Sequence, residues 1–288
     1  MCLKNNPVLR TNLAALSLLV GSIIASPLAL AEETKMNQKQ QVTDLLKSIE
    51  TGNPEPVSYI NPNKYIQHNL AVADGLAGFG AVLQALPKGS AKVNTVRVFQ
   101  DGEYVFSHTE YDFFGPKIGF DIFRFESSLI VEHWDNLQVT PETTSPSGHS
   151  MIDGSTELKD LDKTEENKTL VKNFVTDVLM NGELEKLAAY FDGDNYIQHN
   201  PNIADGLSGL GVALEAMAKQ GISMEYHTVH NELGEGNFVL TVSEGKFADQ
   251  PTSFYDLFRV ENGKIAEHWD TMESIPERSD WKNSNGKF

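Results

Sequence analysis

The chain has 288 residues, with 23 Lys+Arg against 40 Asp+Glu and a formal net charge of −17. That length predicts two domains rather than one, and 40% hydrophobic with 22% charged residues is ordinary globular composition that excludes wholesale disorder. The negative charge argues against phosphate backbones and anionic membrane surfaces, so no nucleic-acid partner is expected.

The first element in chain order is a leader. Lys4 and Arg10 precede an apolar run from Leu13 to Leu30, and Ala29-Leu30-Ala31 forms an A-x-A-like cleavage site before Glu32-Glu33. Gly21, Ser22, Ser26 and Pro27 interrupt the run, which is short for a membrane span. Residues 1–31 are therefore expected to be a secretory signal peptide. The mature protein is expected to be periplasmic or secreted, with no stable membrane insertion after cleavage. Cys2, the sole cysteine, leaves with the leader, which removes thiolate catalysis, disulfides and cysteine-ligated metals together.

A repeat organises the rest. Residues 65–80 (YIQHNLAVADGLAGFG) and 196–211 (YIQHNPNIADGLSGLG) agree at 11 of 16 positions, at an offset of 131. Asp121-Ile122-Phe123-Arg124 and Glu132-His133-Trp134-Asp135 return as Asp256-Leu257-Phe258-Arg259 and Glu267-His268-Trp269-Asp270, at an offset of 135. Such a period is too long for a solenoid unit and suits a whole small domain. Residues 141–157, rich in Pro, Ser, Thr and Gly, read as a linker between domains at 32–140 and 158–288.

Each copy opens with a helix. Val42, Leu45, Leu46 and Ile49 mark it in the first, and Leu170, Phe174, Val178 and Leu179 in the second. YIQHN reads as a short strand. Asp74 and Asp205 are placed as N-caps of a second helix, which in the second copy carries Leu207, Leu210, Leu214 and Met217 on one face. Strands follow around turns at Asp101-Gly102 and Gly234–Gly236. Helices first and an antiparallel sheet afterwards make the class α+β.

The last hairpin permits a register argument. Asn262-Gly263 reads as a two-residue type I′ turn, and an unbroken ladder from it pairs Val260 with Ile265, Phe258 with Glu267, and Asp256 with Trp269. Opposed residues share a face. One face would then hold Asp256, Phe258, Val260, Ile265, Glu267 and Trp269, and the other Tyr255, Leu257, Arg259, His268 and Asp270. In the first copy a Ser127-Ser128 turn pairs Asp121 with Trp134.

A carboxylate set beside an indole and among apolar side chains loses hydration, which disfavours its charged form and suits it to proton exchange near neutrality. Asp256 and Asp121 are candidates on that ground; the simpler alternative is pairing with a nearby arginine. His199 and His68 lie in identical contexts and are candidate catalytic groups or satisfied core histidines. His108 has Val242 at its counterpart, so only one copy can use it. No HxH or HxxxH spacing, GK[ST] or GxSxG motif occurs, so no metal and no cofactor are expected.

Taken together, YIQHN…ADG followed by D-[LI]-F-R-x-E…EHWD resembles the SnoaL-like group of the nuclear transport factor 2-like superfamily, over nearly all of both copies. The resemblance implies two tandem cone-shaped domains, each a curved antiparallel sheet wrapped by N-terminal helices around an apolar pocket. It also implies cofactor-free aldol-type cyclisation or isomerisation of a small apolar carbonyl compound. Asp256 and Asp121 would transfer protons, assisted by His199 and His68. Trp269, Phe258, Glu267 and Gln198, with Trp134, Phe123, His108 and Gln67, would line the pockets. The first copy departs from the pattern at Leu70 and Ser127-Ser128. The alternative reading is a non-catalytic periplasmic binder of a small apolar ligand. Single-copy relatives pair through their convex faces, so a monomer with an internal pseudo-dimer is expected.

Overall fold

The computed structural model describes residues 37–87 and 89–288. The leader, its cleavage site and Cys2 lie outside the described residues.

The architecture is α+β, with two five-stranded sheets built in the same order. Helix α1 (Gln38–Thr51) is followed by β1 (Ile66–Gln67), α2 (Gly75–Ala85), β2 (Lys92–Asp101), β3 (Tyr104–Asp112), β4 (Pro116–Glu126) and β5 (Leu129–Val139). In the second half, α3 (Thr164–Phe174) runs on as a π-helical turn over Val175–Met180. Then come α4 (Leu187–Tyr190), β6 (Ile197–Gln198), α5 (Gly206–Gln220), β7 (Met224–Glu235), β8 (Phe238–Phe247), β9 (Gln250–Glu261) and β10 (Lys264–Ser274). The sheet orders are β1-β5-β4-β3-β2 and β6-β10-β9-β8-β7. The long strands are antiparallel, while β1 and β6 run parallel to β5 and β10.

Apolar periodicity explains the packing. Val42, Leu45 and Leu46 of α1 are buried with Val93, Val105 and Phe123 of the first sheet. Val171, Phe174, Val175 and Val178 meet Val239, Phe254 and Phe258 of the second. Each such side chain stabilises the fold by about 1.5–3 kcal/mol. A third cluster joins the opposite faces of both sheets. Phe99, Phe106, Phe120 and Ile122 pack there with Phe238, Leu240, Tyr255, Leu257 and Trp269.

The hairpin register differs from the expected ladder by one residue. Pairing starts as Lys264 with Glu261 and Ile265 with Val260. It then shifts, so that Glu267 opposes Arg259, His268 opposes Phe258, Trp269 opposes Leu257 and Asp270 opposes Asp256. The same shift between Phe125 and Arg124 sets Asp121 opposite Asp135 and Ile122 opposite Trp134. The cause is a β-bulge that inserts Ala266 in one hairpin and Val131 in the other, and a one-residue slip exchanges the faces of every later side chain. His268 and Asp270 therefore share the face of Asp256, and Glu267 and Trp269 take the opposite one.

The helix-cap reading of Asp205 and Asp74 also needs correction. Both occupy N-cap positions without a side-chain cap bond. Their Oδ1 atoms instead accept from the backbone N–H of Gln198 and Gln67, both at 2.9 Å, which ties the helix start to the short strand.

Two irregular straps cross reciprocally. The segment after β5 reaches the second half, where Ser150 O lies 2.8 Å from His199 Nδ1. The C-terminal segment reaches the first half, where Gly286 O lies 3.0 Å from His68 Nδ1. Part of the expected linker is thus a bonded structural element.

Candidate functional site

The second sheet and α5 enclose a cavity of about 420 Å³. Phe174, Leu210, Leu214, Met217, Phe247 and Met272 give it apolar walls, and Tyr226, Asp256, His268, Asp270, Gln198 and Asn200 line it with polar groups. Helix α5 supplies Leu210, Leu214 and Met217 at helical spacing, and β9 and β10 supply Asp256, His268 and Asp270.

The polar groups form a directed network. Gln198 Oε1 accepts from the backbone N–H of Asn200 at 2.9 Å, which identifies that atom as the carbonyl oxygen. His268 Nδ1 lies 3.1 Å from the same oxygen, so Nδ1 must carry hydrogen. Nε2 of His268 then meets Asp256 Oδ1 at 3.0 Å, across a contact that holds one proton on either side. The Tyr226 hydroxyl donates to Asp256 at 3.2 and 3.3 Å. Burial, with the Asp256 charge beside it, pushes that phenol well above its ordinary value, so it stays a donor.

Asp270 completes the group. Its Oδ2 accepts from Asn200 Nδ2 at 2.7 Å, and its buried Oδ1 has no partner among the described residues. Burial raises its carboxyl above the usual range, against the opposing effect of His268.

The first half repeats the network. Gln67 Oε1 meets His133 Nδ1 at 3.1 Å, His133 Nε2 meets Asp121 at 3.1 Å, and Asn69 donates to Asp135 at 2.6 Å. The tyrosine differs. Tyr111, on β3, donates to Asp121 at 2.5 Å, and strand pairing sets it at the counterpart of Gly245. Its ring lies against Gly119, where an added Cβ would meet it at 3.1 Å. Burial again raises Asp121 above the usual range, opposed by the His133 hydrogen bond. Here Tyr111 packs into a core with Phe79, Phe113 and Leu137, and α2 is shorter than α5, ending before Pro87.

The remaining expected site residues are distributed differently. Phe258 and Gln198 line the cavity with Asp256. His199, Glu267 and Trp269 do not; the bulge turns Glu267 and Trp269 to the other face, and His199 alternates there from Gln198. There His199 stacks on Trp269, with centroids 4.6 Å apart, and His199 Nε2 sits 2.9 Å from Glu267 Oε1. Burial works against ionisation of Glu267, but hydrogen bonds with His199 and Arg259 outweigh it and hold the carboxyl below the usual range. His68, Glu132 and Trp134 repeat the arrangement in the first half, so neither His68 nor Trp134 shares a face with Asp121. Phe123 and Gln67 stay beside the Asp121 network, Phe123 stacking on His133 at 4.5 Å.

His108 is in the zone between the sheets, stacked on Phe120 and 3.2 Å from Arg97. Burial, then the Arg97 charge, hold it well below its ordinary value, so it is neutral. Sequence reasoning missed His268, Asp270 and Tyr226 as cavity residues, and His133, Asp135 and Tyr111 as members of the Asp121 network. The EHWD motif contained two of each set, but nothing in it marked the bulge.

Comparison with known proteins settles the family of the second half: residues 171–268 match the SnoaL-like domain profile. Residues 171–268 form a SnoaL-like domain. Among curated proteins none matches the chain. Solved structures with some similarity include an NTF2-like protein of unknown function from Cytophaga hutchinsonii, at 13% identity and TM-score 0.33, covering 37% of this chain and 94% of its own. IdmH of Streptomyces antibioticus, described as a candidate polyketide cyclase, is 15% identical with TM-score 0.31, covering 36% and 93%. An epoxide hydrolase of Mycobacterium tuberculosis is 22% identical with TM-score 0.30, covering 38% and 85%. The cavity and the Asp256–His268 pair both fall within or at the edges of the SnoaL-like domain.

Proposed function

We propose that the SnoaL-like domain in the second half is a cofactor-independent lyase or isomerase of the aldol-cyclase or isomerase kind. It would move protons at carbon next to a carbonyl in a small apolar compound. The observation that carries this reading is the 3.0 Å contact between His268 Nε2 and Asp256 Oδ1 at the polar part of an otherwise apolar cavity. A carboxylate hydrogen-bonded to an imidazole can accept a proton from a substrate carbon and return it elsewhere. Tyr226 would keep Asp256 oriented.

A second reading is favoured by one contact pattern. Both nitrogens of His268 are engaged, one by Gln198 and one by Asp256, so a bound molecule would meet no free imidazole nitrogen. The domain would then be a binder.

The test works with an unidentified substrate. A panel of apolar linear and cyclic ketones is incubated with the protein in D₂O, and deuterium entry next to the carbonyl is followed by NMR. The enzyme reading expects exchange with at least one ketone, reduced about 10²–10⁴-fold in Asp256→Asn with folding preserved. Binding without exchange supports the second reading, and neither binding nor exchange removes both.

We also infer export to the periplasm or medium, supported by Lys4, Arg10, the apolar run and Ala29-Leu30-Ala31. The native protein should then begin at Glu32, and mass spectrometry that found Cys2 retained would overturn this.

A further inference from the structure

The strap after the first sheet gathers ligating groups outside the cavity. His149 and Asp153 on the strap and His199 after β6 each offer one ligand atom, and these atoms lie within 4.8 Å of one another. His199 is central. Its Nε2 faces Glu267 Oε1 at 2.9 Å, and the same carboxylate accepts from Arg259 Nε at 2.6 Å and from Ser155 N–H at 3.2 Å. That places hydrogen on Nε2. Nδ1 then meets two oxygen acceptors, the Ser150 carbonyl at 2.8 Å and Asp153 Oδ1 at 2.8 Å.

A ring nitrogen between two acceptors must carry either a proton or a cation, and the second oxygen makes this a place where a cation fits. His68 is the counterpart within the chain: its Nε2 likewise faces a carboxylate, Glu132, but its Nδ1 meets a single oxygen, the Gly286 carbonyl. Around His199 a second oxygen and a second imidazole converge. The His149 ring centroid lies 5.1 Å from that of His199. His149 Nε2 sits 3.1 Å from Asp205 Oδ2, leaving Nδ1 without a partner among the described residues. Each imidazole thus has one nitrogen held by a carboxylate, the arrangement that orients histidines toward a metal.

We propose that His149, Asp153 and His199 bind one divalent cation of the Zn²⁺ type, fastening the strap to the second half. Two nitrogens and one carboxylate favour Zn²⁺ or Co²⁺ over Mg²⁺ or Ca²⁺. Tetrahedral ligands about 2.0–2.1 Å from zinc stand roughly 3.3 Å apart, so the 2.8 Å His199–Asp153 contact would open by a few tenths of an ångström. Asp153 is half exposed, leaving it free to make that movement. The Ser150 carbonyl or a water would supply the fourth position. Motif spacing conceals the site, because its histidines are 50 positions apart and one belongs to the linker-like stretch.

The experiment uses the untagged full chain, stripped with a chelator and titrated with Zn²⁺ by calorimetry and Co²⁺ by visible absorption. The expected result is one ion per chain, ligand-field bands from Co²⁺, and a Zn²⁺-dependent rise in Tm. Asp153→Asn and His149→Gln should each weaken binding at least about tenfold. Both alter exposed or half-buried strap positions, so folding can be checked by an unchanged melt without metal. No binding by the wild-type chain would overturn the proposal. Binding of unchanged strength in both variants, or binding lost instead in Asp121→Asn, would do the same.

Discussion

Asp270 shows how much a single buried carboxyl can decide. Its Oδ1 is sealed from water without a partner among the described residues, and burial raises its carboxyl above the ordinary 3.8. A raised value in the folded state means the native protein holds that proton more tightly than the unfolded chain does. The resulting stability is fully present below the unfolded value and is lost as pH rises through the folded one. At neutral pH the charged side chain therefore works against folding. Asp270→Asn should raise stability there by about 1–3 kcal/mol, and the advantage should shrink near pH 4. Thermal melts of both proteins at the two pH values check this, and an advantage independent of pH would contradict it. Glu267, held low by His199 and Arg259, acts in the opposite sense: its stabilisation is present above the unfolded value and is lost as pH falls through the folded one. A carboxyl retained at a cost to stability inside a cavity is characteristic of a working site.

The strap depends on Gly154. Its φ is +90°, and a Cβ there would stand 2.2 Å from Glu267 Oε1 and 2.8 Å from His199 Nε2. Gly154→Ala should therefore lose about 1–3 kcal/mol from backbone strain and more from the collision, with faster proteolysis inside residues 141–157. Gly148 has a similar φ, +93°, but open space around its Cβ direction, so Gly148→Ala isolates the collision. Equal losses in both variants would show that contact with the His199–Glu267 pair does not matter. At this scale the sequence is informative about helices and strands, because Val42, Leu45 and Leu46 or Leu210, Leu214 and Met217 repeat at helical spacing. It is uninformative about the bulges, since Ala266 and Val131 carry no turn chemistry, yet each inverts the faces of all that follows. Asp256 and Phe258, on the strand before the turn, share a face as simple alternation requires. Glu267, His268, Trp269 and Asp270, beyond the bulge, all take the face opposite to the one alternation assigns them. The straps are illegible for another reason: their bonds to His199 and His68 come from main-chain carbonyls, which composition does not reveal.

Across the whole molecule, the outer faces of the sheets are consumed by each other. Tyr255, Leu257 and Trp269 of the second half are buried with Phe99, Phe106, Phe120 and Ile122 of the first. Asn136 Nδ2 donates to the Thr271 carbonyl at 2.8 Å across the same zone. Arg97 of the first sheet, 3% exposed, reaches over the Trp269 ring at 4.2 Å and donates to the carbonyls of Ile152, Asp153 and Ser155. Burial lowers its guanidinium to about 10, with the Glu267 and Asp153 charges opposing, so it remains charged while bonded to the three carbonyls. An isolated SnoaL-like domain would expose this aromatic face, and a contiguous apolar patch of that kind drives association. Here the partner is already covalently attached, and the exposed large apolar residues among the described ones, Phe114, Val139, Leu161, Leu184 and Val212, are widely separated in sequence. The protein is therefore expected to be monomeric, with a light-scattering mass of one chain from micromolar concentration upward. Arg97→Ala removes the group that holds three strap carbonyls and covers Trp269. It should lower Tm and, by loosening this zone, introduce concentration-dependent association that the wild type lacks. A stable wild-type dimer at micromolar concentration would mean that some other surface carries an interface, and the internal pairing would not account for the assembly.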